Sequence, residues 1–170
     1  TKTKEYEDLI ATNDNKGKAD FIEFDLKDLD KISNLVNKIN KKYGYIYGLI
    51  NNAGIGLTGI LATMHDSDIS KVLKVNLEAS ILLCKYFCRS MILQESGRII
   101  NISSIIASTG FNGMSAYAAS KSGIEGFSKS LSRELGKRNV TVNCIAPGYM
   151  ETEMTSGITR LDFNRIKKRA

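Results

Sequence analysis

The chain has a single proline (Pro147), a single histidine (His65), only three cysteines, and no apolar run near the roughly 20 residues that span a bilayer. Each scarcity excludes something. With one proline and no Gly/Ser-rich or charge-only stretch, linkers and long disordered segments are not expected. One histidine cannot build a His-based metal site, and a surface or capping place suits it better than catalysis. Cys84, Cys88 and Cys144 are odd in number and lack metal-ligand spacing. They read as packing residues of a reducing compartment rather than as a disulfide framework. The first twenty residues are polar and charged, unlike a signal peptide. No repeat occurs at solenoid periods.

What remains is 170 residues, 42% hydrophobic and 25% charged, which fits one globular domain with a real core. The net charge of +6 is spread along the chain. Basic and aromatic residues do not interleave as in a nucleic-acid module, so a nucleic-acid partner is not expected. A basic surface also suits acidic small molecules or an acidic carrier protein. The expected location is the cytoplasm, with an organelle lumen as the open alternative.

Hydrophobic periodicity gives alternating strands and helices. Residues 21–25 read as a strand ending in Asp25. Residues 29–43 read as a helix, with Ile32, Leu35, Val36 and Ile39 on one face and Gly44 as its cap. Residues 46–50 read as a strand, 67–93 as a long helix, 98–102 as a buried strand, 115–137 as a helix and 140–146 as a strand. Such alternation predicts right-handed crossovers and a mostly parallel sheet of α/β class. Ligands bind beyond the carboxyl ends of such strands, where Asp25, Asn51, Ser104, Pro147 and Gly148 all fall.

One helix carries Tyr117-Ala-Ala-Ser-Lys121. A phenol and an ammonium four residues apart share a helix face. The cation favours the phenolate and brings the phenol towards the range of efficient acid–base work. The spacing alone is weak, since about 0.7 such pairs arise by chance in this composition. Asn51-Asn-Ala-Gly54 alone could be a strand-to-loop turn, Asn76 a helix kink, Ser103-Ser104 a capping turn, and Pro147-Gly148 chain punctuation.

In order, however, these residues resemble the short-chain dehydrogenase/reductase family. The resemblance rests on Asn51-Asn-Ala-Gly54, Asn76 within Val75-Asn76-Leu77, Ser104, Tyr117-x-x-x-Lys121, and Pro147-Gly148 with Thr152 beyond. It runs from about Ala19 to Met154. It implies a three-layer, Rossmann-like, doubly wound parallel sheet, here a single partial domain over residues 1–170 whose first strands and last strand are missing. It implies Asn76, Ser104, Tyr117 and Lys121 as the catalytic set. Tyr117 would exchange the proton with a carbonyl or alcohol oxygen. Lys121 would assist it and bind the nicotinamide ribose, Ser104 would hydrogen-bond the substrate oxygen, and Asn76 would hold a water linking Lys121 to solvent. Asn51, Ala53 and Gly54 would line the cofactor cleft, and Asp25 and Leu26 would flank the adenine. Pro147, Gly148 and Met150, with Thr152, would contact the nicotinamide amide.

Within the family, the wording around residues 97–104, 116–123 and 146–154 looks most like 3-oxoacyl-[acyl-carrier-protein] reductases, although sugar-alcohol and other alcohol dehydrogenases share much of it. The resemblance therefore implies an NAD(P)H-dependent carbonyl reductase, with a small-molecule or carrier-bound substrate, no membrane partner and a dimeric or tetrameric state. The rival is a catalytically silent dinucleotide-sensing or interaction fragment that keeps the fold. The family's Thr-Gly-x-x-x-Gly-x-Gly phosphate loop does not occur in these 170 residues, and the chain starts with Thr. The expectation is that they are part of a longer protein. Lys2 and Lys4 would then follow the second strand, where a basic side chain suits the 2′-phosphate of NADP over NAD.

Overall fold

A computed structural model describes residues 19–150 of the chain. Three short apolar runs form its strands: β1 (Gly48–Asn51), β2 (Gly97–Ile102) and β3 (Val140–Ile145). They make one sheet in the order β1-β2-β3, with both pairs parallel. Parallel neighbours need long crossovers, and helices supply them. A 3-10 turn (Leu29–Lys31) leads into α1 (Ile32–Tyr43), which precedes β1. Between β1 and β2 run α2 (Asp66–Leu73), a π-helical turn (Lys74–Glu78) and α3 (Ala79–Leu93), without a break. Between β2 and β3 come the short α4 (Ile106–Thr109) and the long α5 (Ser115–Leu135), with a 3-10 turn (Gly136–Arg138).

The helical periods bury largely as the sequence indicates, although Leu35 of α1 is half-buried outside the core cluster. Ile32 and Val36 of α1 are buried, with Ile39 packed against the same core. Gly44 adopts φ +75° and donates its N–H to the Asn40 carbonyl at 2.9 Å, closing the helix as expected of a C-terminal glycine. From α3, Ala79, Cys84, Phe87 and Met91 join Leu131 and Leu135 of α5 over Ile99, Val140 and Val142. Burying a side chain of this size contributes about 1.5–3 kcal/mol, so this cluster dominates the stability of the described part.

Side chains alternate along the strands, which gives the sheet two unlike faces. Asn51, Ile99, Asn101, Val140 and Val142 lie under α1, α3 and α5 and are buried. Ile50 and Ile145 point the other way and are 64% and 49% exposed. The described residues thus build two of the expected three layers, a parallel sheet with helices on one face.

Residues 21–25 correct one expectation. They form no strand and pair with none of β1, β2 and β3, so their local pattern has no ladder among the described residues. Phe24 and Leu26 still pack against the core.

Helix α3 lies close on β2. A Cβ at Gly97 would sit 2.7 Å from the Met91 Cγ and Sδ and 2.9 Å from its Cβ. Met91 is fully buried and has nowhere to retreat. Gly97→Ala is therefore expected to lower the unfolding free energy by about 1–3 kcal/mol through overpacking. Urea denaturation would measure it, and an unchanged midpoint would mean that Met91 repacks freely.

Candidate active site

The strands are parallel, so the segments that follow them meet at one edge of the sheet. Hydrogen bonds join these segments into a rim. Gly59 N–H donates to the Gly113 carbonyl at 2.9 Å, Ser103 N–H to Ile145 O at 2.7 Å, and Ile105 N–H to Pro147 O at 2.9 Å. Gly113 has φ +75°, a conformation that favours glycine. A Cβ there would meet the Gly59 backbone only at ordinary contact, 3.7 Å, so the positive φ rather than crowding favours glycine at this position.

Ser103 and Ser104 end β2, and both are buried. The Ser103 hydroxyl donates to Glu125 Oε1 at 2.7 Å and lies 3.2 Å from the Lys121 carbonyl, tying α5 to the strand end. The Ser104 hydroxyl oxygen accepts the Ile106 N–H at 3.3 Å, which leaves its own hydrogen free to donate.

Lys121 and Tyr117 share the face of α5 that looks at this edge. The Lys121 Nζ lies 5.7 Å from the centroid of the Tyr117 ring and donates to the Ile102 carbonyl at 2.8 Å. Lys121 is only 5% exposed, and among the described residues no carboxylate forms an ion pair with it. Burial accordingly pulls its pKa below the usual 10.5, and the nearby Cys144 thiol opposes that shift only in part. Ser120, one residue back, donates to the Tyr117 carbonyl at 2.7 Å.

Asn76 sits in the π-helical turn and is 2% exposed. Its Oδ1 accepts the Ile55 N–H at 2.8 Å, and its Nδ2 donates to the Ile55 carbonyl at 2.9 Å and to Ser120 Oγ at 3.2 Å. One carboxamide thus pins the loop after β1 and links it to α5. Gly54 lies in the angle between these groups, where a Cβ would stand 3.4 Å from both Asn76 Oδ1 and Lys121 Nζ. Gly123 lets α5 come this near, since a Cβ there would be 2.9 Å from Leu77 Cδ2. The structure therefore brings Gly54, Asn76, Ser104, Tyr117 and Lys121 to one edge. The Asn76 carboxamide is occupied chiefly with the Ile55 backbone.

The remaining expected residues are more scattered. Asn51 faces the helices, where its Nδ2 donates to Asn101 Oδ1 at 2.7 Å and lies 3.3 Å from Cys84 Sγ. Its side chain is buried away from the cleft side of the loop, because strand alternation puts it on the same face as its register partner Asn101. Any part it takes in a cofactor site falls to its main chain. Ala53 is exposed in the loop, and Pro147, Gly148 and Met150 follow β3. Asp25 is exposed and accepts the Lys27 N–H at 2.9 Å, with the Lys27 ammonium at 3.0 Å. Those contacts, the backbone N–H first, hold its carboxyl below the usual range. Leu26 packs against the core. Lys2, Lys4 and Thr152 lie outside the described residues.

Sequence reasoning missed the polar supports under the site. Asn101, fully buried, donates to Ser128 Oγ at 2.8 Å, and Ser128 donates to the Ile124 carbonyl at 2.7 Å. With Asn51, they form a polar rail from β1 through β2 to α5. A signal was present: an asparagine inside the apolar run Arg98-Ile-Ile-Asn-Ile102 has to find partners when buried.

Cys84 lies in the core and Cys88 packs against it, as expected, while Cys144 is half-buried outside that cluster. Burial pushes the Cys84 thiol up to about 12, and it also raises Cys88 and Cys144, so none is an activated thiolate. Among the described residues no group of His, Cys, Asp and Glu could hold a metal ion, and no helix is long and apolar enough to cross a membrane.

A parallel α/β sheet with this edge is what the comparisons also find. The chain belongs to the short-chain dehydrogenase family, whose model, described as short chain dehydrogenase, matches residues 2–161. Among relatives, it is 43% identical over 142 residues to a 3-oxoacyl-[acyl-carrier-protein] reductase of Chlamydia muridarum, covering 84% of this chain and 57% of that protein. It is 42% identical over 134 residues to carbonyl reductase family member 4 of Xenopus tropicalis, covering 79% of this chain and 57% of that one. Among solved structures, one described as an NAD(P)-dependent gluconate 5-dehydrogenase of Beutenbergia cavernae, with NADP bound at low occupancy, superposes with a TM-score of 0.86. That pair shares 34% identity, covering 97% of this chain and 65% of the other. The chain thus spans somewhat over half the length of the curated relatives it matches.

Proposed function

We propose that the protein containing these residues is an NADP-dependent carbonyl reductase that converts 3-oxoacyl thioesters to 3-hydroxyacyl thioesters. The observation that carries this reading is the meeting of Ser104, Tyr117 and Lys121 at the strand edge, with Gly54 and Asn76 beside them. The donor set suits a dinucleotide. Lys121 has three N–H donors and spends one on Ile102 O, which leaves two for ribose hydroxyls. Gly54 keeps the space beside Lys121 Nζ free of a side chain.

The nicotinamide supplies the hydride when bound. In the direction of reduction, Ser104 donates a hydrogen bond to the carbonyl oxygen and holds it within reach of Tyr117. As negative charge develops on that oxygen, the Ser104 donor stabilises it. Tyr117 gives up its phenolic proton to the oxygen, so hydride and proton together convert C=O to CH–OH. The Lys121 ammonium faces the charge then left on the phenol. Asn76 keeps the Ile55 loop against α5.

The 3-oxoacyl substrate is supported by the reductase among the relatives, and NADP by the cofactor in the solved relative. A homo-oligomer, dimer or tetramer, and a cytoplasmic place belong to the same reading and rest on family likeness.

The test is the nicotinamide absorbance of the full-length protein with NADPH and a 3-oxoacyl thioester. Loss of absorbance with substrate is expected. Tight NADPH binding without turnover of any carbonyl compound would favour the silent, dinucleotide-sensing rival and overturn the proposal.

A further inference from the structure

Among the described residues, the loops that form the rim around Ser104 and Tyr117 carry no charged side chain. None of residues 53–64, 103–120 and 146–150 is Asp, Glu, Lys or Arg, where the chain's 25% charge would place about nine. Lys121 follows the second of these stretches, and it is buried against Ile102 O. The rim instead shows bare apolar groups. Ile60 is 66% exposed and Leu61 57% exposed, at the start of a 3-10 turn (Leu61–Thr63) next to Gly59. The Gly59–Gly113 hydrogen bond fixes this turn beside the loop that enters α5, one turn ahead of Tyr117. Phe111 lies in that same loop, and its carbonyl accepts the Met114 N–H at 3.1 Å. Two aliphatic side chains in water beside a reaction site are a surface that an apolar ligand would cover.

From this placement we infer that Ile60 and Leu61, with Phe111, determine specificity by binding the alkyl chain of an uncharged carbonyl substrate. Among the described loops of this rim, a carboxylate on the substrate beside its carbonyl meets no cationic side chain and loses its hydration there. The inference rests on the carbonyl-reductase reading and narrows its substrate class. It sets this chain apart from the gluconate dehydrogenase it resembles in fold, whose named substrate is anionic and polyhydroxylated.

The experiment uses full-length protein with NADPH and three substrate sets: 3-oxoacyl N-acetylcysteamine thioesters from four to twelve carbons, methyl 3-oxoalkanoates of matching length, and 5-ketogluconate. In the wild type, kcat/KM is expected to rise with chain length, by up to about fourfold for each methylene that reaches the rim. The variant Ile60→Ser/Leu61→Ser is expected to flatten that slope, with the largest loss on the longest chain. Both residues are exposed, so the variant should fold, which its thermal midpoint would confirm. A chain-length slope equal in wild type and variant overturns the inference, as does a preference for 5-ketogluconate over every neutral substrate. If the methyl esters are reduced with the expected slope and the thioesters are not, the apolar rim stands and the 3-oxoacyl thioester reading fails.

Discussion

Tyr117→Phe is expected to lower kcat by about 10²–10⁴-fold, the usual worth of a positioned general acid. The substitution removes one oxygen and keeps the ring, so it opens no cavity in α5. The Tyr117 carbonyl still accepts the Ser120 hydroxyl, and Lys121 still reaches Ile102 O, since neither contact uses the phenol. Cofactor affinity should therefore stay within a few-fold, as the ribose donors belong to Lys121. Steady-state kinetics with a 3-oxoacyl thioester, set beside NADPH titration followed by nicotinamide fluorescence, separates the two effects. Retention of more than a tenth of the wild-type kcat would remove Tyr117 from the chemistry. Equal loss of turnover and cofactor affinity would instead assign it to binding.

The parts of the fold that were legible in the sequence are those decided locally. The α1 face of Ile32, Val36 and Ile39 needs only the 3.6-residue period, and Gly44 needs only its position after the last turn. The buried strand Gly97–Ile102 shows as an apolar run between turns. Two features were not legible because distant contacts decide them. Residues 74–78 read as ordinary α-helix, and nothing in Lys-Val-Asn-Leu-Glu demands a π-helical turn. The turn goes with an Asn76 carboxamide held on the Ile55 backbone, a partner 21 residues away. π-Turns of this kind occur often at functional sites.

Asn51 shows the same limit. The Asn-Asn-Ala-Gly wording places it at the cleft, whereas its direction depends on strand register. Pairing with Asn101 turns both amides under the helices, and that pairing joins residues 50 positions apart. The catalytic wording was more legible than its supports for a related reason. On the proposed reading Tyr117, Lys121 and Ser104 serve a ligand and have few substitutes, whereas Asn101 and Ser128 serve packing, which other residue pairs could satisfy. Residues 21–25 failed as a strand because β-structure needs a neighbour, and a sequence pattern supplies only the candidate.

Lys121→Met tests the other half of the pair through both rate and stability. An ammonium 5.7 Å from the centroid of the Tyr117 ring favours negative charge on the phenol as its proton leaves, so its removal is expected to lower kcat by on the order of 10²-fold. Unlike Tyr117→Phe, this variant should also weaken NADPH binding, because the ribose donors go with the ammonium. For stability, two effects oppose each other at neutral pH. Methionine removes a charge that is costly to bury, but it leaves the Ile102 carbonyl without its donor. Their dependence on pH resolves them. Burial depresses the Lys121 pKa in the folded state below the 10.5 of the unfolded chain. Between those two values the unfolded chain holds the extra proton, so stability rises with pH. Below the folded value the buried ammonium exerts its full cost. Wild type should therefore gain on Lys121→Met as pH climbs from neutrality towards 10.5, and urea midpoints at several pH values would show it. A difference that stays flat, or that shrinks with rising pH, would mean that the Lys121 charge is not desolvated at the site.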